Sequence, residues 1–308
     1  MVSNGSFSPP TTATLYKWAN VIPHFQRLRN HHLPFQADLD DANQKALNVA
    51  NTLYREFYST VTPISNDRFL VVGSVGKQVA RDPLNDVDIL FQLPDSDYHR
   101  YHAYSDNGQS ALLQDVKETV LESYPNTDIR GDGQVVVVDF NSIKVEIVPV
   151  FYINGTIITP NTHHGGSWNT CNPHLEAKQI QVADQISGGK ATDLIRLLKA
   201  WKDYCNVPIK SIVLERAALV FASNWQYRIN NMFWYDWMVR DFFDFLLTCS
   251  DNLFQLPGSQ DMIFSGSNWI SKCLTARDHA HKACFYEEHA PYFPLQAKNE
   301  WEKIFGPF

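Results

Sequence analysis

Gly73 and Ser74 close the apolar run Val71-Val72, and twelve residues past the serine the chain reads Asp86-Val87-Asp88-Ile89-Leu90. A glycine-serine pair at the end of a strand offers backbone N–H groups and a hydroxyl to a polyphosphate. Residues two apart in a strand project from one face, so Asp86 and Asp88 present both carboxylates together and can share divalent cations. Asp88 also lies within the apolar stretch Val87-Ile89-Leu90-Phe91, where a carboxylate is costly to bury unless a cation compensates it. Alone, each half is a common turn or a strand end with solvated acids. Joined at this spacing, they describe metal-dependent phosphoryl transfer.

Two cations about 3.5 to 4 Å apart need more than one acid pair to hold them. The third acid is expected on a hairpin, with strands from Gln134 to Phe140 and from Ile143 to Val150 joined at Asn141-Ser142. Glu146, in Lys144-Val145-Glu146-Ile147-Val148-Pro149, is the expected ligand. Asp139 falls on the same face of the hairpin and stands as the alternative.

The elements that must position these residues follow from periodicity. Ala46, Leu47, Ala50, Leu53, Tyr54 and Phe57 recur at helical spacing behind Asp40-Asp41, which predicts an amphipathic helix leading into the site. Strands are expected at about 68–72 and 87–93, and a helix capped by Ser110 is expected to run through Tyr124. Residues 151–173 are rich in turn formers and read as a long connection, with His163-His164 facing solvent in a glycine-flanked loop. From His174 onward the chain reads as helical: Thr192 caps a helix through Lys202, and others run about 211–227, 232–247, 268–284 and 295–305. The aromatics between Trp225 and Phe245 are expected in the core of this bundle. The expected division is therefore a catalytic lobe at 1–150 and a connecting segment with a helical nucleotide-binding lobe at 151–308.

Composition narrows the function. A net charge of -7 argues against a general affinity for duplex nucleic acid. No apolar stretch approaches the ~20 residues that span a bilayer. Met1 to Thr12 reads as a loose polar tail rather than a signal peptide. Five widely spaced cysteines without a C-x-x-C pair fit reduced thiols of a cytoplasmic protein. Cys273, His279, His281 and Cys284 match no usual zinc-finger spacing.

The chain resembles the bacterial cyclic oligonucleotide synthases, the cGAS/DncV-like or CD-NTase family of the polymerase-beta-like nucleotidyltransferase superfamily. The resemblance spans roughly residues 40–225. It rests on Gly73-Ser74-Val75-Gly76-Lys77, Pro83, Asp86-Val87-Asp88, the segment Gly108 to Gln114, Glu146-Ile147-Val148-Pro149, and Lys199-Ala200-Trp201-Lys202 with Lys210-Ser211. It implies an α+β fold: a nucleotidyltransferase sheet lobe, an N-terminal spine helix and a C-terminal helical lobe. It further implies that Asp86, Asp88 and Glu146 bind two magnesium ions, with manganese a substitute, and that Gly73 and Ser74 hold the donor phosphates. Lys199 and Ser211 look like the pair that reaches back to the donor triphosphate. The family commonly carries Asp as its third acid, so Glu146 departs from the pattern, as do Val79 and Asp82 in the loop after the glycines.

The implied activity is synthesis of a cyclic di- or trinucleotide second messenger from ATP, GTP or other NTPs, in anti-phage signalling with a separately encoded effector. A monomer needing neither nucleic acid nor membrane is expected. A non-cyclising nucleotidyltransferase and an inactive nucleotide-binding scaffold are the alternatives on the same residues.

Overall fold

The computed structural model describes residues 17–59, 63–65, 67–259, 261–290, 292–293 and 295–308. The tail Met1 to Thr12 lies outside them. The chain divides into two compact units, one of residues 33–181 with 255–262, the other of the chain up to His32 with 182–254 and 263–308.

The first unit is built on a mixed sheet. Its strands are β1 (Phe69–Val72), β2 (Asp86–Gln92), β3 (Asp128–Asp132), β4 (Val135–Asp139), β5 (Lys144–Ile153), β6 (Thr156–Asn161) and β7 (Ser167–Cys171). The order is β1-β2-β5-β4-β3, with β6 continuing from β5 and β7 from β6. Only β2 and β5 run parallel; the other neighbours are antiparallel. Because β2 reaches a parallel partner, the intervening chain must cross over, and it does so through α4 (Asp95–His102), α5 (Gly108–Ser123) and the β3-β4 hairpin.

One face of the sheet is the core. Val87, Ile89 and Phe91 of β2, Val145 and Ile147 of β5, and Val136 and Val138 of β4 are buried in one cluster with Ala46, Val49 and Leu53 of α2 (Gln36–Phe57) and Leu112, Val116 and Val120 of α5. The alternate residues, Asp86, Asp88 and Glu146 among them, therefore face the other side. A one-residue slip of β2 would exchange the two sets. Each apolar side chain expelled would cost roughly 1.5–3 kcal/mol, which pins the carboxylates outward.

Local chemistry moves several boundaries. α2 begins at Gln36, a turn before Asp40-Asp41, after an extended Phe35 and with Asp38 in its first turn. The cap of α5 is Asn107, whose side chain accepts from the Ser110 N–H at 2.9 Å, so Ser110 is capped rather than capping. Residues 151–173 are not a loose connection: β5 runs to Ile153, and Asn154-Gly155, with φ of 51° and 79°, makes a two-residue turn into β6. Asn-Gly is the turn pair whose twist suits a hairpin.

The second unit is helical. It holds α1 (Val21–His31), α7 (Lys190–Tyr204), α8 (Ser211–Asn224), α9 (Tyr235–Leu247), α10 (Ile270–Glu288) and α11 (Gln296–Phe305), while α6 (Pro173–Ile186) carries the chain out of the sheet unit. Asp193 ties α1, α7 and α9 together, accepting from Arg29 Nε at 3.0 Å and from the Tyr235 hydroxyl at 2.9 Å. α7 starts at Lys190, before Thr192, whose N–H and hydroxyl both donate to Asp184. Trp225, Phe242 and Phe243 are core, whereas Tyr227, Phe233, Trp234 and Trp237 are half-buried. A short hairpin of β8 (Leu253–Gln255) and β9 (Met262–Phe264) interrupts the helices. Its three-residue strands are too brief for a periodic signal.

Candidate active site

The strand register lays the acids out in rows. Directly opposed residues on neighbouring strands share a face, so one row reads Val72, Asp88, Glu146, Val137 and Arg130 across β1, β2, β5, β4 and β3. The next row reads Asp86, Lys144, Asp139 and Asp128 across β2, β5, β4 and β3. Glu146 thus stands against Asp88, as expected of a third acid. Asp139 is on the same face but sits beside Lys144, with its carboxylate 3.7 Å from Lys144 Nζ and 3.6 Å from Arg130.

The electrostatics single out Glu146. It is half-buried, and burial together with the charges of Asp88, Asp86 and Asp132 pushes its carboxyl up to about 7, with a hydrogen bond to Asp88 acting in the same direction. Acids crowded in this way are relieved by a shared proton or by a cation. Among the described residues no three His, Cys, Asp or Glu side chains are gathered closely enough to enclose an ion as they stand. The donor set nevertheless fits magnesium, a hard cation that takes oxygen ligands and is usually bound by one or two carboxylates with substrate phosphates and water completing the shell.

The turn after β1 is fitted to these acids. Gly73 to Gly76 form a single helical turn, α3, without a side-chain cap, so the N–H groups at its start are not taken by one. Gly73 has a φ of 59°, and a Cβ there would lie 1.7 Å from Asp88 Oδ2. Only glycine lets the turn pass this close to the carboxylate. A Cβ on Gly76 would lie 2.2 Å from the Val71 carbonyl oxygen, which makes the second glycine a packing requirement. Ser74 accepts a backbone bond from Val79 at 2.9 Å, and Val79 is fully buried, so this departure from the family pattern fills core. Lys77 lies 3.5 Å from Glu176. The Asp82-Pro83 peptide bond is cis.

Beyond the acids the same face turns apolar. Leu70, Leu90 and Val150 line a cavity of about 350 Å³ with Arg68, Gln92 and Tyr152. Lys199 and Ser211 belong to the helical unit, Lys199 half-buried on α7 and Ser211 the first residue of α8. Within the Gly108–Gln114 segment, Gly108 packs against the Tyr101 carbonyl and Gln109 is buried. Cys273 and Cys284 each contact a different backbone carbonyl, and His279 and His281 each pair with a different acid. Sequence reading missed Arg130 and Asp132 because Asp128-Ile129-Arg130-Gly131-Asp132 is too polar to register as a strand. It is held by pairing with β4.

A family model described as the second messenger oligonucleotide or dinucleotide synthetase domain matches residues 21–183. No curated protein matches the chain. Among solved structures, CdnC of Escherichia coli MS115-1 with ATP is 20% identical at a TM-score of 0.62, over 92% of this chain and 97% of that one. CdnG of Bradyrhizobium diazoefficiens in complex with GTP is 15% identical at a TM-score of 0.65, over 93% and 94%. DncV of Vibrio cholerae, a cyclic AMP-GMP synthase in complex with the linear intermediate 5' pppA(3',5')pG, is 13% identical at 0.62, over 96% and 86%. At these identities the likeness is one of fold.

Proposed function

As a member of the second messenger oligonucleotide or dinucleotide synthetase family, the chain is a nucleotidyltransferase, and we propose that it joins NTPs into a cyclic di- or trinucleotide by two-metal phosphoryl transfer. The observation that carries this reading is the placement of Glu146 opposite Asp88, two residues from Asp86 and beside the Gly73 turn. Asp86, Asp88 and Glu146 would hold two magnesium ions, or manganese in their place. Bound there, the metal supplies the Lewis acid that lowers the pKa of an acceptor hydroxyl and neutralises the donor triphosphate. Gly73 and Ser74 orient that triphosphate, and Lys199 and Ser211 contribute to holding it. The acceptor hydroxyl attacks the α-phosphorus in line; one P–O bond forms, the bond to pyrophosphate breaks, and the proton leaves to solvent. A second attack within the linear product closes the ring.

The related structures with ATP and with GTP support NTPs as substrates, and the one with a linear intermediate supports a linear stage before closure. We assign the product to anti-phage signalling through a separately encoded effector. The enzyme acts as a cytoplasmic monomer, in keeping with its five free cysteines, and needs no nucleic acid, in keeping with the -7 charge.

The test is incubation of purified protein with mixed labelled NTPs and magnesium, followed by phosphatase. A cyclic product has no terminal phosphate and survives. A product that phosphatase trims to a linear oligonucleotide carrying only its internal phosphodiesters would replace the cyclase with a linear polymerising enzyme, and release of all the label as inorganic phosphate, as from unreacted NTP, would leave a binding scaffold. Activity that appears only on adding duplex DNA or RNA, and fades steeply with salt, would overturn its independence of nucleic acid.

A further inference from the structure

We propose that Arg130 and Lys144 bind the triphosphate of the acceptor, the nucleotide whose hydroxyl attacks. The inference rests on the nucleotidyltransferase reading of the site and adds its second phosphate locus. Two triphosphates enter such a reaction, and they repel. The donor's is served by the Gly73-Ser74 turn, at the end of β1 on one side of Asp86 and Asp88. The acceptor's must therefore lie on the far side of the carboxylates, over β5, β4 and β3, and it needs cations there.

The outward face of those three strands supplies Lys144 and Arg130. Lys144 is directly opposite Asp86, and Arg130 shares the row of Asp88 and Glu146. With strands about 4.8 Å apart, the two cations start roughly 5 Å from Asp86 and 10 Å from Glu146, within reach of a polyphosphate that extends from a reacting ribose. Both side chains are nearly half exposed, at 43% and 45%. Asp139 lies between them, ion-paired with both at 3.7 and 3.6 Å, in part-exposed pairs too long for good hydrogen bonds, which a phosphate can displace. Arg130 also bonds Asp128 at 2.9 Å, in an exposed pair, and such pairs are worth little and exchange readily. A guanidinium grips phosphate oxygens in pairs, and an ammonium adds a mobile point charge.

The experiment compares two labelled acceptors with one NTP donor, an NTP and its nucleoside lacking the 5'-phosphates, in wild type, Arg130→Gln, Lys144→Gln and Lys144→Arg. The expected result is that each glutamine variant lowers the rate ratio of triphosphorylated to unphosphorylated acceptor by roughly tenfold or more, as losing a charged hydrogen bond should, with Lys144→Arg restoring much of it. An unchanged ratio, or an equal fall for both acceptors in variants that melt like wild type, would overturn the assignment and leave these residues a surface ion network. A wild type inert with both acceptors would instead overturn the nucleotidyltransferase reading, and this inference with it.

Discussion

Two groups of crowded acids occupy the two units, and their contrast separates the proposed reactive site from a sealed one. On the sheet, Glu146 is pushed up to about 7 by burial and by Asp88 and Asp86. In the helical unit, Asp236 of α9 is also pushed up to about 7, by burial first and by nearby Glu287 of α10. Glu287 is fully buried; one of its oxygens meets His24 Nδ1 at 2.7 Å and the Trp301 indole N–H at 3.3 Å. The other, and one oxygen of Asp236, find no hydrogen-bond partner among the described residues. A perturbed carboxyl alone thus does not identify an active site. The sheet acids are only part-buried, beside a glycine turn, as the proposed binding of a hydrated cation and a nucleotide requires. Asp236 is 1% exposed, and only a proton can relieve it.

The largest effect that can break this comparison is loss of Asp88 or Asp86. Replacing either by Asn should abolish product formation, since losing a metal removes several kcal/mol of transition-state stabilisation, and each ~1.4 kcal/mol is tenfold in rate. Magnesium should raise the melting temperature of the wild type, and the same change should remove that rise, because stabilisation by a ligand requires its site. A folded variant with near-normal turnover would refute the assignment. Glu146→Gln should fall almost as far. Asp139→Asn should cost under about tenfold, because its carboxylate faces Lys144 and Arg130 rather than Asp88. If only the Asp139 change destroys activity, the third acid has been misplaced.

Gly73→Ala comes next. The added methyl would meet the Asp88 carboxylate, and φ of 59° is itself unfavourable for alanine by roughly 1–2 kcal/mol. A displacement of about 1 Å in a catalytic group can cost roughly a hundredfold. The expected outcome is that order of loss in kcat, with binding of isolated NTP weakened as well because the same turn orients the triphosphate. Unaltered kcat would mean that the glycine serves the turn alone.

How much of this was legible depended on whether the signal was local. The alternation Asp86-Val87-Asp88-Ile89 fixed which residues face out, and Glu146-Ile147-Val148 repeated the pattern on a second strand. That these strands are parallel neighbours, with Glu146 against Asp88, is a non-local pairing that neither the pattern nor the resemblance stated; only the register shows it. The β5-β6 turn was readable in Asn154-Gly155, but Pro160 and the glycines around His163 masked the strands beyond it. β3 was not readable at all: Arg130 and Asp132 are ordinary loop residues until β4 pairs with them. Asp236 and Glu287 are 51 residues apart in sequence, and helical periodicity places each on a buried face without saying that the two meet.

The smallest effect concerns the sealed pair and has the opposite sign. The folded-state value of Asp236 lies above its ordinary 3.8, so the fold prefers the protonated acid. Below about pH 4 both states hold the proton and nothing is lost. As pH rises toward about 7 the unfolded chain releases it more readily, stability declines, and above about 7 the loss is complete. Glu287 reinforces the upward shift, while Arg240 and backbone N–H groups oppose it. Asp236→Asn, which keeps shape and removes the charge, should therefore stabilise the protein at pH 8 by about 1–3 kcal/mol, allowing for imperfect amide bonding. It should leave stability near pH 4 almost unchanged and flatten the slope between. Denaturant unfolding at pH 5, 6, 7 and 8 measures this directly, and the melting shift given by magnesium should match wild type. A variant that is less stable at pH 8, or that loses the magnesium response, would mean that the two acid groups are not the separate kinds of site their surroundings describe.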